Sequence, residues 1–216
     1  KKLAANNSQY LFCDSLLVCP VAESGVSSLV VQFPEGRWVN IWDGTTYAGD
    51  TQQAVDASLN TIPVYMEAGS AVPMTLGSTL RIGDVNTDGT NAEVLMTAPA
   101  VKKKVNTIYT DETTTQVYTC DALGDNTYSV TADGAYGKKI IVAMGVAANR
   151  VKVGNTEISE LSVRPTAASA EVGYYRDIEN NSTIIVTDGT WTTLEYSGTG
   201  GRFKNVALKA KVTTTG

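Results

Sequence analysis

The sequence predicts an all-β protein built as two β-sandwich domains in tandem. Short runs rich in Val, Ile, Thr and Tyr recur along the 216 residues and are separated by turn-forming dipeptides. These dipeptides include Asp88-Gly89, Gly124-Asp125, Asp133-Gly134, Gly154-Asn155, Asn180-Asn181 and Asp188-Gly189. No amphipathic segment of ten or more residues is convincing, and only Gln52–Ser58 could supply a short turn of helix.

The first clear strands are Ser28–Phe33 and Arg37–Trp42, joined by the turn Pro34-Glu35-Gly36. Side chains alternate across a strand, so Trp38 and Trp42 would share one face while Val39 and Ile41 share the other. A strand that is apolar on both faces is expected to be covered on both sides, as happens where domains pack together.

The remaining strands continue to the end of the second sandwich. Pro63 and Pro73 cannot donate ladder hydrogen bonds, so both are expected at edge or terminal strand positions. The predicted strands are residues 62–66, 71–74, 92–97, 106–110, 116–120, 126–131, 138–144, 150–153, 170–176, 183–186 and 192–196.

Changes in composition and a Gly-rich stretch place the predicted domain boundaries. Beyond Leu76 the chain becomes richer in Thr, and Ser197–Gly201 has the character of a linker. We therefore predict a short connection over residues 1–8, a proximal sandwich over 9–76, a distal sandwich over 77–197, and a final segment over 198–216.

Composition excludes several classes of function. The net charge of −5 disfavours nucleic acid, and the one basic run, Lys102-Lys103-Lys104, is interpreted as a solvated loop or strand end. No apolar run approaches the roughly 20 residues that span a bilayer. Histidine is absent, so this chain alone cannot supply a Ser-His-Asp or Cys-His mechanism.

The three cysteines, Cys13, Cys19 and Cys120, are interpreted as small buried apolar residues. If residues 13–19 are extended, the α-carbons of Cys13 and Cys19 lie roughly 20 Å apart, too far for a disulfide unless the chain bends sharply between them.

Four blocks of sequence in a fixed order resemble the carboxy-terminal region of glycoside hydrolase family 31. Cys13 and Cys19 occupy positions where that family usually has a small residue, most often Gly, and Ala. Thr113 stands where the family's distal loop usually has Gly. The blocks are Gln9–Val21, Leu29–Trp38, Ile41–Gly44 and Ile62–Met74, with weaker similarity at Ile108–Thr113, Gln116–Tyr118 and Arg150–Asn155.

The resemblance implies the proximal and distal β domains of a retaining α-glycosidase or α-glucosyltransferase. Its two catalytic carboxylates would lie in a barrel that precedes Gln9, so no catalytic residue is assigned here. The expected partner is that barrel, and an apolar surface on residues 9–75 should be exposed without it. Arg202–Thr213 resembles the opening of a discoidin-like carbohydrate-binding module. We expect no cofactor and an extracellular or cell-surface location.

Two alternatives stay open: an independent carbohydrate-binding module, or a structural spacer between modules. Sugars stack on flat aromatic faces, so Trp191, Tyr174 and Tyr175 are the candidate carbohydrate-binding residues, with Trp191 expected to be the most exposed. Trp42, Tyr47 and Tyr136 are further aromatic residues to consider, although Trp42, like Trp38, is interpreted as core between the domains. Asp84–Gly89 opens like a calcium loop, but Leu95 occupies the position that requires a carboxylate, so a hairpin turn is favoured and no metal site is assigned.

Overall fold

The computed structural model describes residues 8–57, 61–83, 89–133, 137–169 and 171–198. These residues form strands and connecting turns, with no helix, so the all-β prediction is confirmed and none of them forms a helix that could cross a membrane. The strands are β1 (Tyr10–Phe12), β2 (Leu16–Val18), β3 (Ser28–Phe33), β4 (Arg37–Asn40), β5 (Thr46–Ala48), β6 (Thr51–Asp56), β7 (Val64–Glu67), β8 (Ala71–Leu76), β9 (Ala92–Thr97), β10 (Lys104–Tyr109), β11 (Thr115–Gly124), β12 (Thr127–Asp133), β13 (Ile140–Met144), β14 (Arg150–Val153), β15 (Thr156–Ile158), β16 (Gly173–Asp177), β17 (Ser182–Val186) and β18 (Thr193–Ser197).

The strands form three large sheets and one two-stranded ribbon. The proximal sheet has the order β1-β2-β7-β4-β5, and the ribbon pairs β3 with β6. The inner distal sheet has the order β16-β17-β13-β9-β8, and the outer distal sheet has the order β10-β11-β12-β18-β14-β15. All pairs are antiparallel except β9 with β13.

Three apolar cores hold these four layers together. Trp38, Phe33 and Tyr65 pack between the ribbon and the proximal sheet. Val39 and Met66, the next residues along their strands, pack on the inner distal sheet together with the cluster that contains Val94, Met96 and Val142. The opposite face of the inner distal sheet packs on the outer distal sheet through residues that include Leu95, Ile141, Tyr118 and Tyr196.

This layering explains why β4, β7, β9, β13 and β17 carry apolar residues at consecutive positions. Both faces of the proximal and inner distal sheets are covered, so alternate side chains enter different cores. The expectation that the Trp38 strand is covered on both sides is confirmed. Each fully buried Val, Leu or Met contributes about 1.5–3 kcal/mol, so the shared core joins the two predicted domains firmly.

Strand pairing moves the predicted boundary between the domains. β8 pairs with β9 through all six of its residues, from Ala71 to Leu76, and therefore belongs to the inner distal sheet. The change of sheet occurs at Ala68–Ser70, not near Leu76. Pro73 lies on β8, the edge strand of that sheet, as predicted, and Pro63 immediately precedes β7.

Polar contacts secure the point where the chain passes from one sheet to the other. The Lys104 ammonium donates to the Glu67 carboxylate at 2.7 Å and to the Ser70 hydroxyl at 2.8 Å. The buried Asn106 amide donates to the Gly69 carbonyl at 3.0 Å. Lys104 is therefore a structural residue at the start of β10, while Lys102 and Lys103 are exposed.

The first hairpin bends sharply, so the assumption of an extended stretch from Cys13 to Cys19 is wrong. Cys13 and Asp14 have φ of 50° and 51°, and the Ser15 N–H closes the turn on the Phe12 carbonyl. A turn with φ > 0 at both central residues matches the twist of paired strands but strains residues other than Gly, Asn or Asp. Gly, which the resembled family usually has at the Cys13 position, adopts a positive φ without this strain.

All three cysteines are free thiols, and two of them are buried as predicted. Burial raises the pKa of Cys19 and of Cys120 to about 12, so neither is a thiolate at neutral pH. Cys13 is exposed in the turn, and its interpretation as a buried residue is wrong.

Replacing Cys13 by Gly should stabilise the protein. Cys13→Gly relieves the left-handed strain, and we expect the free energy of unfolding to rise by roughly 0.5–1 kcal/mol. Urea unfolding followed by circular dichroism measures it. Thr107→Gly, at an exposed position of β10, is the control and should destabilise, because there Gly only adds freedom to the unfolded chain. Equal losses of unfolding free energy in both variants would show that the turn at Cys13 is not strained.

Candidate docking surface and saccharide sites

The edge strand β1 carries two large apolar side chains in solvent. Tyr10 is 50% exposed and Phe12 is 54% exposed, and both lie on the face of the proximal sheet that carries their strand partners Val18 and Leu16. Leu11 points the other way, into the core beneath the ribbon. In the described part of the chain β1 pairs with β2 alone. We call Tyr10, Leu11 and Phe12 the β1 edge.

The position of the β1 edge is fixed by the Gln9 side chain, which forms two hydrogen bonds to the backbone of Gln32, as a paired strand would. The Gln9 amide donates to the Gln32 carbonyl at 2.7 Å, and its oxygen accepts from the Gln32 N–H at 3.0 Å. These two bonds tie the start of β1 to β3 of the ribbon. Exposed apolar residues on a fixed edge strand are the usual marks of a protein interface.

Trp191 is not the exposed aromatic residue that the sequence predicts. Its side chain is 3% exposed, it packs near Tyr118, and its indole N–H donates to the Lys138 carbonyl at 2.8 Å. A Cβ on Gly137 would lie 2.0 Å from the ring, so the glycine provides the space that the indole fills. A saccharide cannot stack on this ring, and its prediction as a sugar-binding residue is corrected.

The two neighbouring tyrosines differ from each other. Tyr174 is 5% exposed, belongs to the core between the distal sheets, and donates its hydroxyl to the Asn149 carbonyl at 2.9 Å. The same correction therefore applies to Tyr174. Tyr175 is half-buried, with the Arg164 guanidinium 5.9 Å from the centre of its ring. Tyr47 is buried in the proximal core, and Tyr136 lies outside the described residues.

A buried carboxylate, Asp177, lies at the end of β16, the strand that contains Tyr174 and Tyr175. It pairs with the Arg164 guanidinium and accepts from the Asn180 side chain at 2.9 Å and its backbone N–H at 3.2 Å. Burial alone would raise the pKa of Asp177, but the hydrogen bonds from Asn180 and Arg164 outweigh it and hold the pKa below its usual value. The ionised form is therefore favoured by the fold.

This depressed pKa predicts an acid-dependent part of the stability. The contribution of Asp177 should be present above the unfolded pKa of about 3.9 and be lost as the pH falls through the lower folded pKa. Asp177→Asn should therefore flatten the acid limb of stability against pH. Urea unfolding from pH 2.5 to 7 measures it, with the exposed Asp50→Asn as control. An unchanged acid limb in Asp177→Asn would contradict the assignment.

Trp42 leaves the strand on which the sequence places it. β4 ends at Asn40, whose side-chain oxygen accepts from the Trp42 N–H at 2.8 Å, and this bond turns the chain. Trp42 therefore does not share a face with Trp38; it packs at the margin of the core that contains Val39 and Ile41. The half-buried indole forms part of the wall of two clefts, one of which, about 370 Å³ in volume, also contains Asp43 and Asp56.

Two further acidic residues, Asp43 and Asp111, cap turns. Asp43 accepts from the Thr45 N–H at 2.9 Å. Asp111 accepts from the Thr113 and Thr114 N–H groups, which lowers the pKa of Asp111 to about 2. The Asp111 carboxylate therefore stabilises the turn of this loop. Thr113, at the position where the family usually has Gly, does not adopt a positive φ. In the described ranges no group of three or more His, Cys, Asp or Glu could hold a metal ion, and 84–88, most of the calcium-like motif, lies outside them.

Comparison with known proteins agrees with this arrangement of sheets. Residues 1–72 match the family described as the glycosyl hydrolase family 31 C-terminal domain. These residues are a glycoside hydrolase family 31 C-terminal domain. The resemblance predicted from the sequence is confirmed, and the matched region ends just after the structure passes from the proximal sheet to the inner distal sheet.

Relatives extend the similarity beyond the family 31 domain. The isomaltosyltransferase of Sporosarcina globispora is 25% identical over 190 residues, which cover 82% of this chain and 17% of that protein. The sulfoquinovosidase of Escherichia coli is 37% identical over 62 residues, covering 29% of this chain and 9% of the enzyme. The chain thus spans less than a fifth of these relatives.

Solved structures share the fold across both distal sheets. The cycloalternan-forming enzyme from Listeria monocytogenes, in complex with a pentasaccharide substrate, has a TM-score of 0.75 at 21% identity. The family 31 dextranase of Flavobacterium johnsoniae, complexed with glucose, has a TM-score of 0.65 at 19% identity. Each covers 89% of this chain, which corresponds to 19% and 27% of those proteins. The distal sheets therefore share their fold with family 31 enzymes.

Proposed function

We propose that this chain is the non-catalytic carboxy-terminal support of a retaining α-glycosidase or α-glucosyltransferase, and that the β1 edge docks on its catalytic barrel. The observation that carries the proposal is the pair Tyr10 and Phe12, half-exposed on a fixed edge strand within the family 31 domain. Large aromatic residues in a defined position supply most of the binding energy of a protein interface.

The four-layered stack gives this support its rigidity. The β1 edge belongs to the proximal sheet, which shares one core with the ribbon and another with the inner distal sheet. A barrel seated on β1 would therefore rest on a continuous body rather than on a hinged module. We assign no catalytic residue to this chain, because the two carboxylates of a retaining mechanism would lie in the barrel.

Two separately expressed chains test the proposal. One is the present chain, and the other is the catalytic barrel that the proposal places upstream of Lys1. We expect the present chain alone to leave p-nitrophenyl α-glucoside intact, and the two chains together to co-elute and hydrolyse it. Tyr10→Asp with Phe12→Asp should weaken the association roughly tenfold or more, because charges replace the aromatic contacts.

The matched control is Val163→Asp, at a residue of the distal region that is 74% exposed. It should leave association unchanged. Hydrolysis by the present chain alone would overturn the proposal, as would full activity of the catalytic barrel by itself. A role as a spacer would appear as normal activity without any association. The extracellular or cell-surface location expected from the resemblance stays a prediction.

A further inference from the structure

The cleft beside Trp42 has the lining of a small-molecule site. Its volume is about 370 Å³, within the range of roughly 300–1,000 Å³ in which proteins hold small ligands. The buried residues Ala57 and Pro63 form an apolar part of the wall. Polar groups surround it, from Ser27, Asn40, Asp43, Asp56 and Thr61.

Trp42 is held in one position before any ligand arrives. Its indole N–H donates to the Ile62 carbonyl at 2.9 Å, and its backbone N–H donates to the Asn40 side chain at 2.8 Å. Gly83 allows the ring to approach, because a Cβ there would lie 2.7 Å from the indole Cζ3. A preorganised ring loses little entropy when a ligand packs against it.

Two carboxylates share the cleft with this ring. Asp43 is fixed by the hydrogen bond from the Thr45 N–H, and the exposed Asp56 ends β6. Burial is the main cause that raises the pKa of Tyr47, and the negative charges of Asp43 and Asp56 raise it further. Ionised carboxylates accept hydrogen bonds and cannot donate them.

We propose that this cleft binds a neutral saccharide unit, which packs its C–H face on Trp42 and donates hydroxyl hydrogens to Asp43 and Asp56. An anion is disfavoured by the two carboxylates. An ammonium group accepts no hydrogen bond, so a cationic ligand would leave the hydroxyl hydrogens of Ser27 and Thr61 without an acceptor on the ligand. A saccharide hydroxyl both donates and accepts, so it can satisfy the whole set.

Tryptophan fluorescence of the 216-residue chain reports directly on this cleft. Of its three tryptophans, Trp38 and Trp191 are 0% and 3% exposed, while Trp42 is half-buried. Maltose and isomaltose are the first probes, and this choice alone rests on the proposed function. Xylose, galactose and choline are added as separate titrations, all in the presence of EDTA. We expect a saturable change with at least one saccharide and none with choline.

Carboxylate variants keep the reporting tryptophan in place. Two variants, Asp56→Asn and Asp43→Asn, should each weaken saccharide binding roughly tenfold or more. Asp43→Asn preserves a side-chain oxygen that accepts from the Thr45 N–H. Asp50→Asn, an exposed carboxylate outside the cleft, should leave it unchanged. Trp42→Phe is tested by calorimetry, because fluorescence loses its reporter, and should abolish measurable binding.

Three outcomes would overturn the inference: no saccharide response, a response that survives in both the Asp56→Asn and Trp42→Phe variants, or a response to choline alone. Tyr10 and Phe12 do not line the cleft, so the association experiment stands independently. Saccharide binding without association of the two chains would contradict the proposed function but not the saccharide site. Association of the two chains without saccharide binding would contradict the saccharide site alone.

Discussion

Trp191→Ala should lower the free energy of unfolding by about 3–5 kcal/mol, the usual cost of removing a large aromatic residue from a core. The indole is 3% exposed and fills the space beside Gly137 between the distal sheets. Its removal also leaves the Lys138 carbonyl without the indole donor at 2.8 Å. In a protein of this size the loss corresponds to a fall in melting temperature of roughly 10 °C.

The matched control is Tyr109→Ala, because Tyr109 ends β10 of the outer distal sheet and is 76% exposed. Its removal should change stability by no more than about 0.5 kcal/mol. Urea unfolding followed by circular dichroism compares the two variants. Similar stabilities for Trp191→Ala and Tyr109→Ala would show that the indole is not part of the core. Loss of sugar binding in Trp191→Ala would by itself report unfolding, not a lost contact with the sugar.

Gly49→Ala should cost about 3 kcal/mol or more, because the new methyl group has no room. A Cβ at Gly49 would lie 2.3 Å from the Pro34 carbonyl oxygen and 2.4 Å from the Gly36 nitrogen. Both are backbone atoms, so neither can move aside like a flexible side chain. The Gly49 N–H also bonds the Gly36 carbonyl at 2.7 Å, and the Pro34 carbonyl holds the Trp38 indole. The insertion would therefore disturb the proximal core as well.

Gly25→Ala separates this steric effect from the general cost of replacing glycine. No atom lies within 4 Å of a Cβ at Gly25, but its φ of +80° is left-handed. We expect a loss of roughly 1 kcal/mol from strain alone. Equal losses for the two variants in thermal unfolding would show that the tight turn at Gly49 relaxes, and that packing of Trp38 does not depend on it.

Local patterns predicted most of the strands because each carries its own signal. β3, β9 and β14 have the predicted bounds, and the consecutive apolar residues of β4 correctly indicated cover on both faces. Local signals allowed a short helical turn at Gln52–Ser58, but Gln52–Asp56 belongs to β6, which pairs with β3 over six residues. Pairing partners override weak local propensity, and a single segment does not contain that information.

The aromatic side chains show why the site was harder to predict than the fold. The turn at Asp188-Gly189 suggested exposure of Trp191, but the space that buries it comes from Gly137 on a distant connection. Trp42 was displaced from its expected face by one hydrogen bond, which its backbone N–H donates to the Asn40 side chain. It lines a cleft together with Asp56, which belongs to the β3–β6 ribbon. Exposure and convergence of side chains depend on contacts between layers, which spacing along the chain does not encode.

The β1 edge is proposed as the surface on which a catalytic domain docks. Hydrogen exchange of residues 8–18, measured with and without the catalytic barrel, tests this proposal directly. Edge-strand amides exchange readily when exposed, so docking should slow exchange across Tyr10–Phe12 while residues 150–158 of the outer distal sheet stay unchanged. Unchanged exchange at β1 in a co-eluting complex would contradict the claim and place the interface elsewhere.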